Sequence, residues 1–241
     1  MLTAQGDVAD VVSGDLRAGK DSHKRYFLIE PPKGAKPPKE RYGLLVVLPG
    51  GDGSADFHPF IKRIYKNAVP EGYVLAQPVA IKWTEGQEIV WPTARNRVED
   101  MKFSTEEFID AVIRDVACKY KLDPKRVFAL TWSSSGPAGY AASLANTRIA
   151  GSFVAMSVFR PDFLPPLGKA KGHAHFLYHS PDDRVCPIRM AEQAAKELKK
   201  SGATVKLATY DGGHGWRGAL YDHIREGVEW LEKHSATRAE P

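Results

Sequence analysis

Short apolar runs alternate along this chain with longer segments in which apolar residues recur every three or four positions. The apolar runs have the length of β-strands, and the run at 44–48 contains no polar residue, which is typical of a strand covered on both faces of a sheet. We predict strands at 26–29, 42–48, 175–179 and 204–210, one running from Arg126 to the serines at 133–135, and one ending near Ser157.

The segments with helical periodicity lie between these strands. We predict helices at 57–68, 137–146, 188–201 and 218–233. A fifth helix begins at Ser104, because the order Ser-Thr-Glu-Glu is a capping box in which Ser104 and Glu107 satisfy each other's backbone N–H groups. Its predicted apolar face consists of Phe108, Val112, Val116 and Ala117.

Alternating strands and helices predict an α/β fold, with a mostly parallel twisted sheet and helices on both faces. The stretch at 31–39 is rich in proline and lysine but lies between two early strands, so we interpret it as a surface loop. Since no other stretch resembles a linker, we expect a single domain over residues 1–241.

The strongest chemical signal is the abrupt change from the apolar run to the three serines, followed by an alanine-rich helical segment. A sharp turn from strand to helix can hold a serine in a strained backbone with its hydroxyl exposed, provided that the residues two before and two after it are small. Ser133 meets this condition, because the residues two before and two after it are Thr131 and Ser135, although glycine is usual at both positions. Ser134 is the alternative nucleophile, but there the indole of Trp132 would crowd the turn.

An acid and then a histidine follow in the order that such a serine requires. Asp183 comes just after the strand at 175–179, at the carboxyl edge of the sheet where ligands of open α/β sheets bind. Its neighbour Asp182 stays open as an alternative. His214 lies among glycines after the strand at 204–210 and is the candidate general base, with Asp183 orienting its ring.

A glycine-rich turn, Pro49-Gly50-Gly51-Asp52-Gly53, follows the strand at 42–48. Such a turn can bring a backbone N–H close to the nucleophile, so Gly51, with Asp52 as the next choice, and Ser134 are the candidate oxyanion-hole donors. A phosphate-binding loop is excluded because its lysine is absent.

Together these segments resemble the α/β-hydrolase superfamily over roughly residues 25 to 232. Within it the chain resembles the polyhydroxybutyrate depolymerase and feruloyl esterase-like group, close to the dienelactone hydrolases. The resemblance implies the α/β-hydrolase fold, with a sheet of about eight strands. It also implies a serine esterase without a cofactor, with Ser133, Asp183 and His214 as the triad. Rival interpretations are a peptidase of the same fold and a non-catalytic binding protein on a hydrolase scaffold.

The substrate is predicted to be a small-molecule or polymer-linked ester. The segment at 161–171, where a helical lid is often inserted, is short and rich in proline and glycine, so we expect no large lid. Trp132 and Trp216 lie beside the candidate catalytic residues and are predicted to bind the substrate, because indole rings stack on aromatic or sugar groups.

Composition excludes several other classes. The net charge is +5, but the basic residues are spread widely and form no stripe interleaved with aromatics, so we expect no nucleic-acid partner. No apolar run has transmembrane length, so no membrane partner is expected. Cys118 and Cys186 are too few for a disulfide framework and are predicted to be free thiols at opposite ends of the sheet.

Three histidines, at 173, 175 and 179, share one face of a strand by its period of two. A metal site needs ligands that converge on one point, and this strand is predicted to be buried. We therefore expect these histidines to form no metal site. The segment at 1–7 lacks the charged and apolar regions of a signal peptide. The compartment therefore stays open between a secreted or periplasmic protein whose signal peptide has been removed and a cytoplasmic one, and the oligomeric state stays open too.

Overall fold

The computed structural model describes residues 5–32, 34, 37–39 and 41–235, so the segment at 1–7 and the loop at 31–39 lie partly outside the described residues. The described residues form eight strands, which are β1 (Ser13–Arg17), β2 (Arg25–Ile29), β3 (Tyr42–Leu48), β4 (Tyr73–Pro78), β5 (Leu122–Trp132), β6 (Gly151–Ala155), β7 (Ala174–His179) and β8 (Thr204–Thr209). The α-helices are α1 (His58–Ala68), α2 (Thr105–Lys119), α3 (Gly136–Ala145), α4 (Arg189–Lys200) and α5 (Leu220–His234).

All eight strands lie in one sheet, in the order β1-β2-β4-β3-β5-β6-β7-β8. β2 runs antiparallel to both of its neighbours, and every other pair is parallel. The predicted mostly parallel sheet of about eight strands is therefore confirmed. The apolar pattern locates six of these strands and misses β1 and β4.

Helices cover both faces of the sheet, as predicted. α1 and α5 pack on one face, against side chains such as Leu45 and Val47 of β3. On the other face, α2 and α3 pack against Leu44, Val46 and Leu48, and α4 continues this layer over β6 and β7. Alternate residues of β3 thus enter opposite cores, which explains why its sequence is apolar throughout.

The capping box that begins α2 is confirmed. The Ser104 hydroxyl accepts the Glu107 N–H at 3.2 Å, and the Glu107 carboxylate accepts the Ser104 N–H at 2.7 Å. Of the predicted apolar face, Phe108, Val112 and Val116 are buried, but Ala117 is exposed. The prediction for Ala117 was wrong because α2 rotates its buried stripe toward Ile109 and Ile113 instead.

The carboxyl ends of the central strands meet at one edge of the sheet. Leu48 pairs with Thr131, and His179 pairs with Thr209, so the loops after β3, β5, β7 and β8 lie side by side. β6 and β7 are joined by residues 156–173, whose helical segments are the short 3₁₀ turns Pro161–Phe163 and Leu167–Ala170. This fully described connection holds no large lid, as predicted.

None of the helices in the described part of the chain combines the length and the apolar composition that a membrane crossing requires.

Candidate active site

Ser133 lies in the turn that joins β5 to α3, and its φ angle is +55°. A non-glycine residue in the left-handed region costs about 1–3 kcal/mol and is retained only where surrounding contacts hold it. One such contact is visible, because the Ser157 hydroxyl donates to the Ser133 carbonyl oxygen at 2.6 Å. The predicted strained turn is therefore present at Ser133.

Ser135, the small residue two positions later, bridges two strands beneath the turn. Its hydroxyl is fully buried, donates to the Leu48 carbonyl oxygen at 2.7 Å and accepts the Trp132 N–H at 3.0 Å. A glycine could make neither hydrogen bond. Ser135 thus ties the end of β5 to the end of β3 and helps to fix the turn.

The structure brings Ser133, His214 and Asp183 into one hydrogen-bonded chain. The Ser133 Oγ lies 3.0 Å from His214 Nε2, and His214 Nδ1 lies 2.8 Å from Asp183 Oδ2. Since an ionised carboxylate only accepts hydrogen bonds, Nδ1 carries the proton and Nε2 is left to accept the serine hydroxyl. The alternatives lie elsewhere: Asp182 is exposed, and the Ser134 hydroxyl donates to the Gly51 carbonyl oxygen at 2.8 Å.

Asp183 is held as a buried carboxylate. Its other oxygen, Oδ1, accepts the N–H groups of Val185 and Cys186, each at 2.8 Å. Burial acts to raise the pKa of the Asp183 carboxyl, but the hydrogen bonds from Cys186, His214 and Val185 outweigh it and lower the pKa below its usual value. The group is therefore ionised where it meets the imidazole.

The His214 loop depends on glycine, because Gly212, Gly213 and Gly215 have φ angles of +111°, +77° and +119°. Besides the bond between His214 and Asp183, a further hydrogen bond ties this loop to the loop after β7: the buried Ser180 hydroxyl accepts the Gly213 N–H at 3.0 Å. The residue before His214 is thereby anchored to the segment that carries Asp183.

His179 supports the same segment from below. Its Nε2 donates to the Cys186 carbonyl oxygen at 2.6 Å and lies 3.4 Å from Asp183 Oδ2. The sequence did not predict these positioning contacts of Ser157, Ser180 and His179. Their shared signal is their place at or just after the carboxyl end of β6 or β7, the edge to which the site had been assigned.

The glycine-rich turn after β3 lies against the nucleophile turn. A Cβ at Gly50 would come within 2.7 Å of the Trp132 carbonyl oxygen, so only glycine fits there. Gly51 has a φ angle of +60°, and its carbonyl oxygen accepts the Ser134 hydroxyl. Gly51 and Ser134 are therefore neighbours in space, and their roles as oxyanion donors stay predictions.

An aromatic cluster surrounds the turn. Trp132 makes edge contacts with Phe57, Phe60 and Trp216 at centroid distances of 6.0, 6.0 and 5.7 Å. Trp132 is only 5% exposed, whereas Trp216 is partly exposed. Their predicted contact with substrate stays a prediction, and the ring contacts that Trp132 makes are packing contacts.

Both cysteines are free thiols, as predicted, with Cys118 exposed and Cys186 buried. Burial, followed by the charge of Asp183, raises the pKa of the Cys186 thiol to about 11. Among the histidines of β7, His175 Nδ1 lies 2.8 Å from the Ser152 hydroxyl. Among the described residues, the potential metal ligands that converge are Asp183, Cys186 and His214, whose ligand atoms lie within 4.8 Å of one another.

Neither a protein-family model nor a curated protein sequence matches the chain. Solved structures do match it. A thermostable esterase from Pseudomonas putida ECU1011 superposes with a TM-score of 0.68 at 13% identity, over 96% of this chain and 86% of that chain. For esterase 2 of Thermogutta terrifontis, phosphorylated by paraoxon, the TM-score is 0.63 at 14% identity, over 94% and 93%. For the carboxylesterase of Bacillus cereus it is 0.59 at 16%, over 80% and 89%.

The topology and these likenesses together show that the chain has the α/β-hydrolase fold, as the sequence resemblance implied. At such low identity they show the fold and not the reaction.

Proposed function

We propose that this protein is a serine carboxylic-ester hydrolase in which Ser133 is the nucleophile, His214 the general base and Asp183 the residue that orients it. The observation that carries the proposal is the hydrogen-bonded chain from Ser133 through His214 to Asp183, set on a strained turn. Fold likeness to esterases is consistent with it but would not suffice alone.

In the proposed reaction, the Ser133 oxygen attacks the ester carbonyl carbon while His214 Nε2 takes the serine proton. The carbonyl oxygen becomes an oxyanion, which the backbone N–H groups of Gly51 and Ser134 would stabilise. His214 then protonates the leaving alcohol, which departs and leaves an acyl-enzyme. A water molecule, deprotonated by the same imidazole, attacks the acyl-enzyme and releases the acid and free Ser133.

The substrate class proposed is a bulky or polymer-linked ester of feruloyl, acetyl or polyester type. Two features support it: the connection at 156–173 forms no large lid, and Trp216 stands partly exposed two residues after His214. The resemblance to polyhydroxybutyrate depolymerases and feruloyl esterases points the same way. Comparing the hydrolysis rates of methyl ferulate, cellulose acetate and a polyhydroxybutyrate film distinguishes these ester types, with methyl acetate as the small control that is not linked to a polymer. Faster hydrolysis of methyl acetate than of all three would contradict this part.

The central experiment compares hydrolysis of p-nitrophenyl acetate and butyrate by the wild type, Ser133→Ala and Ser134→Ala. Ser133→Ala should lose at least about a thousandfold in kcat/KM, as follows from removing a triad nucleophile. Ser134→Ala is the matched control, because it keeps its backbone N–H and should retain most of the activity. A reversed pattern would move the nucleophile to Ser134.

Paraoxon gives a readout that does not depend on choosing the right ester, since it phosphorylates the esterase of Thermogutta terrifontis. Mass spectrometry should place a diethylphosphoryl group on the peptide that contains Ser133, and Ser133→Ala should remain unlabelled. If the wild type neither hydrolyses the two esters nor takes up this label, the chain is a non-catalytic scaffold and the proposed function is wrong.

A further inference from the structure

The Cys186 thiol lies beside the proposed triad, but the proposed reaction does not use it. Only the backbone N–H of Cys186 contacts Asp183, and its carbonyl oxygen accepts from His179. The side chain is 7% exposed and forms no disulfide. Its Sγ therefore stands next to the acid and the base with no role in ester hydrolysis.

Three chemically different donors converge at this point. A carboxylate oxygen of Asp183, the sulfur of Cys186 and a ring nitrogen of His214 all lie within 4.8 Å of one another. Oxygen, sulfur and imidazole nitrogen are the ligands of Zn²⁺, at bond lengths of about 2.0–2.3 Å, and sites with three protein ligands leave a fourth position for water. Such bond lengths place tetrahedral ligands roughly 3.5 Å apart. His214 Nδ1 and Asp183 Oδ2 are already 2.8 Å apart and have to separate slightly, whereas a pair of donors at the 4.8 Å limit has to close in by about 1 Å.

The side chain that has to move is the one with freedom to do so. His214 is 24% exposed at its side chain, whereas that of Asp183 is fully buried. His214 also lies between glycines in left-handed conformations, where the backbone has a wider choice of angles than elsewhere. The imidazole can therefore admit a cation from solvent and adjust its distances to Asp183 and Cys186, which remain in place.

We propose that Asp183, Cys186 and His214 form a binding site for Zn²⁺, and that its occupancy switches off the hydrolase. The inhibitory part rests on the proposed function, whereas binding of the cation does not. On binding, the Cys186 thiol releases its proton to solvent, a thiolate–zinc bond forms, and the neutral imidazole and the carboxylate supply the other two ligands.

Inhibition follows whichever imidazole nitrogen binds the cation. If Nε2 binds Zn²⁺, the lone pair that accepts the Ser133 proton is occupied. If Nδ1 binds it, the ring proton moves to Nε2, which can then no longer accept. A thiolate ligand also selects among cations, since sulfur favours Zn²⁺ and Cd²⁺ while Mg²⁺ and Ca²⁺ prefer oxygen.

The binding test uses Ser133→Ala protein, so that it needs no catalysis, and titrates Zn²⁺ chloride by calorimetry. In this background Cys186→Ala should weaken the affinity by at least about tenfold, because even indirect partners of a metal ligand are worth that much. Cys186→Ser preserves the volume of the side chain and should show the same loss, which covers the case in which the alanine variant folds poorly. Cys118→Ala is the matched control and should bind like its parent.

The activity test measures p-nitrophenyl acetate hydrolysis by the wild-type protein. Zn²⁺ and Cd²⁺ should inhibit, Mg²⁺ should not, and a chelator should restore the rate. Zinc binding of equal strength with and without the Cys186 thiol, or no zinc binding at all, would overturn the site. Zinc binding that needs Cys186 but leaves the rate unchanged would overturn the switch. If the protein binds zinc through Cys186 but has no esterase activity, the result would support the zinc site and contradict the proposed function.

Discussion

Thr131 and Gly139 occupy adjoining space so closely that a Cβ added at Gly139 would lie 2.4 Å from Thr131 Oγ1. Thr131 lies in the buried part of β5 two residues before Ser133, and Gly139 is the fourth residue of α3. The close approach of strand and helix at such a turn usually rests on a glycine in the strand. Here the glycine stands in the helix instead, which explains how threonine is tolerated at position 131.

Gly139→Ala should therefore destabilise the fold by about 1–3 kcal/mol, the usual cost of overpacking a well-filled core. Adding Thr131→Ala removes the Oγ1 and Cγ2 atoms that clash, so the double variant should regain much of that loss. Urea unfolding of the four members of this cycle measures the coupling between the two positions. Gly86→Ala, where an added Cβ meets nothing within 4 Å, is the control. Additive effects of the two substitutions would contradict the shared space.

Two arguments from the sequence predicted that Ser133, Asp183 and His214 lie close together. One is the order of the three residues along the chain, and the other is the rule that sites lie at the carboxyl edge of the sheet. The contacts that hold them were not predictable in this way. Ser157 and Ser180 bond to partners 24 and 33 residues away, and a serine after a strand has the same local pattern whether it does this or merely caps a turn.

The apolar pattern missed β1 and β4, and there is a physical reason for each omission. β1 lies at the edge of the sheet, its residues are half-buried or exposed, and it pairs only with β2, so it carries no buried apolar run. β4 is fully buried, but its last two residues are Gln77 and Pro78, which read as the start of a loop. In both, the strand is defined by its neighbours rather than by its own composition.

The Ser180 hydroxyl gives a second prediction, because it joins the His214 loop to the Asp183 loop. Ser180→Ala should lower kcat by about ten- to hundredfold through misplacement of the imidazole, with little change in KM. Kinetics with p-nitrophenyl butyrate measure both constants. Ser143→Ala removes another buried serine hydroxyl, inside α3, and should leave kcat unchanged. If Ser180→Ala loses only stability and keeps its kcat, the hydroxyl has no positioning role.

Trp216 gives a third prediction, on substrate choice. If its partly exposed ring stacks on the substrate, Trp216→Leu should raise KM for an aromatic ester such as methyl ferulate by up to about tenfold relative to the non-aromatic ester methyl butyrate, since an aromatic pair contributes about 0.5–1.5 kcal/mol. Trp230→Leu, in the last turns of α5, removes another half-buried indole and is the control. Equal increases in KM for both esters would assign Trp216 to packing of the loop alone.

The buried His175 gives a fourth prediction, on stability against pH. Its ring is fully buried in β7, with Nδ1 next to the Ser152 hydroxyl and Nε2 without a hydrogen-bond partner in the described structure. Burial, followed by the charge of nearby His173, lowers the pKa of His175 from 6.5 to about 3. Between these values the unfolded chain binds a proton that the folded protein does not.

The free energy of unfolding should therefore fall as the pH drops from about 6.5 toward 3, with His175 contributing up to roughly 1.4 kcal/mol per pH unit. His175→Leu removes the proton uptake, so its stability should decline less steeply with acid than that of the wild type, whatever its stability at neutral pH. Urea unfolding between pH 5 and about 7, above most carboxyl titrations, measures the two slopes. Ser152→Ala removes the same hydrogen bond but keeps the imidazole, and it should retain the wild-type slope. Parallel slopes for His175→Leu and the wild type would show that the buried ring does not control acid sensitivity.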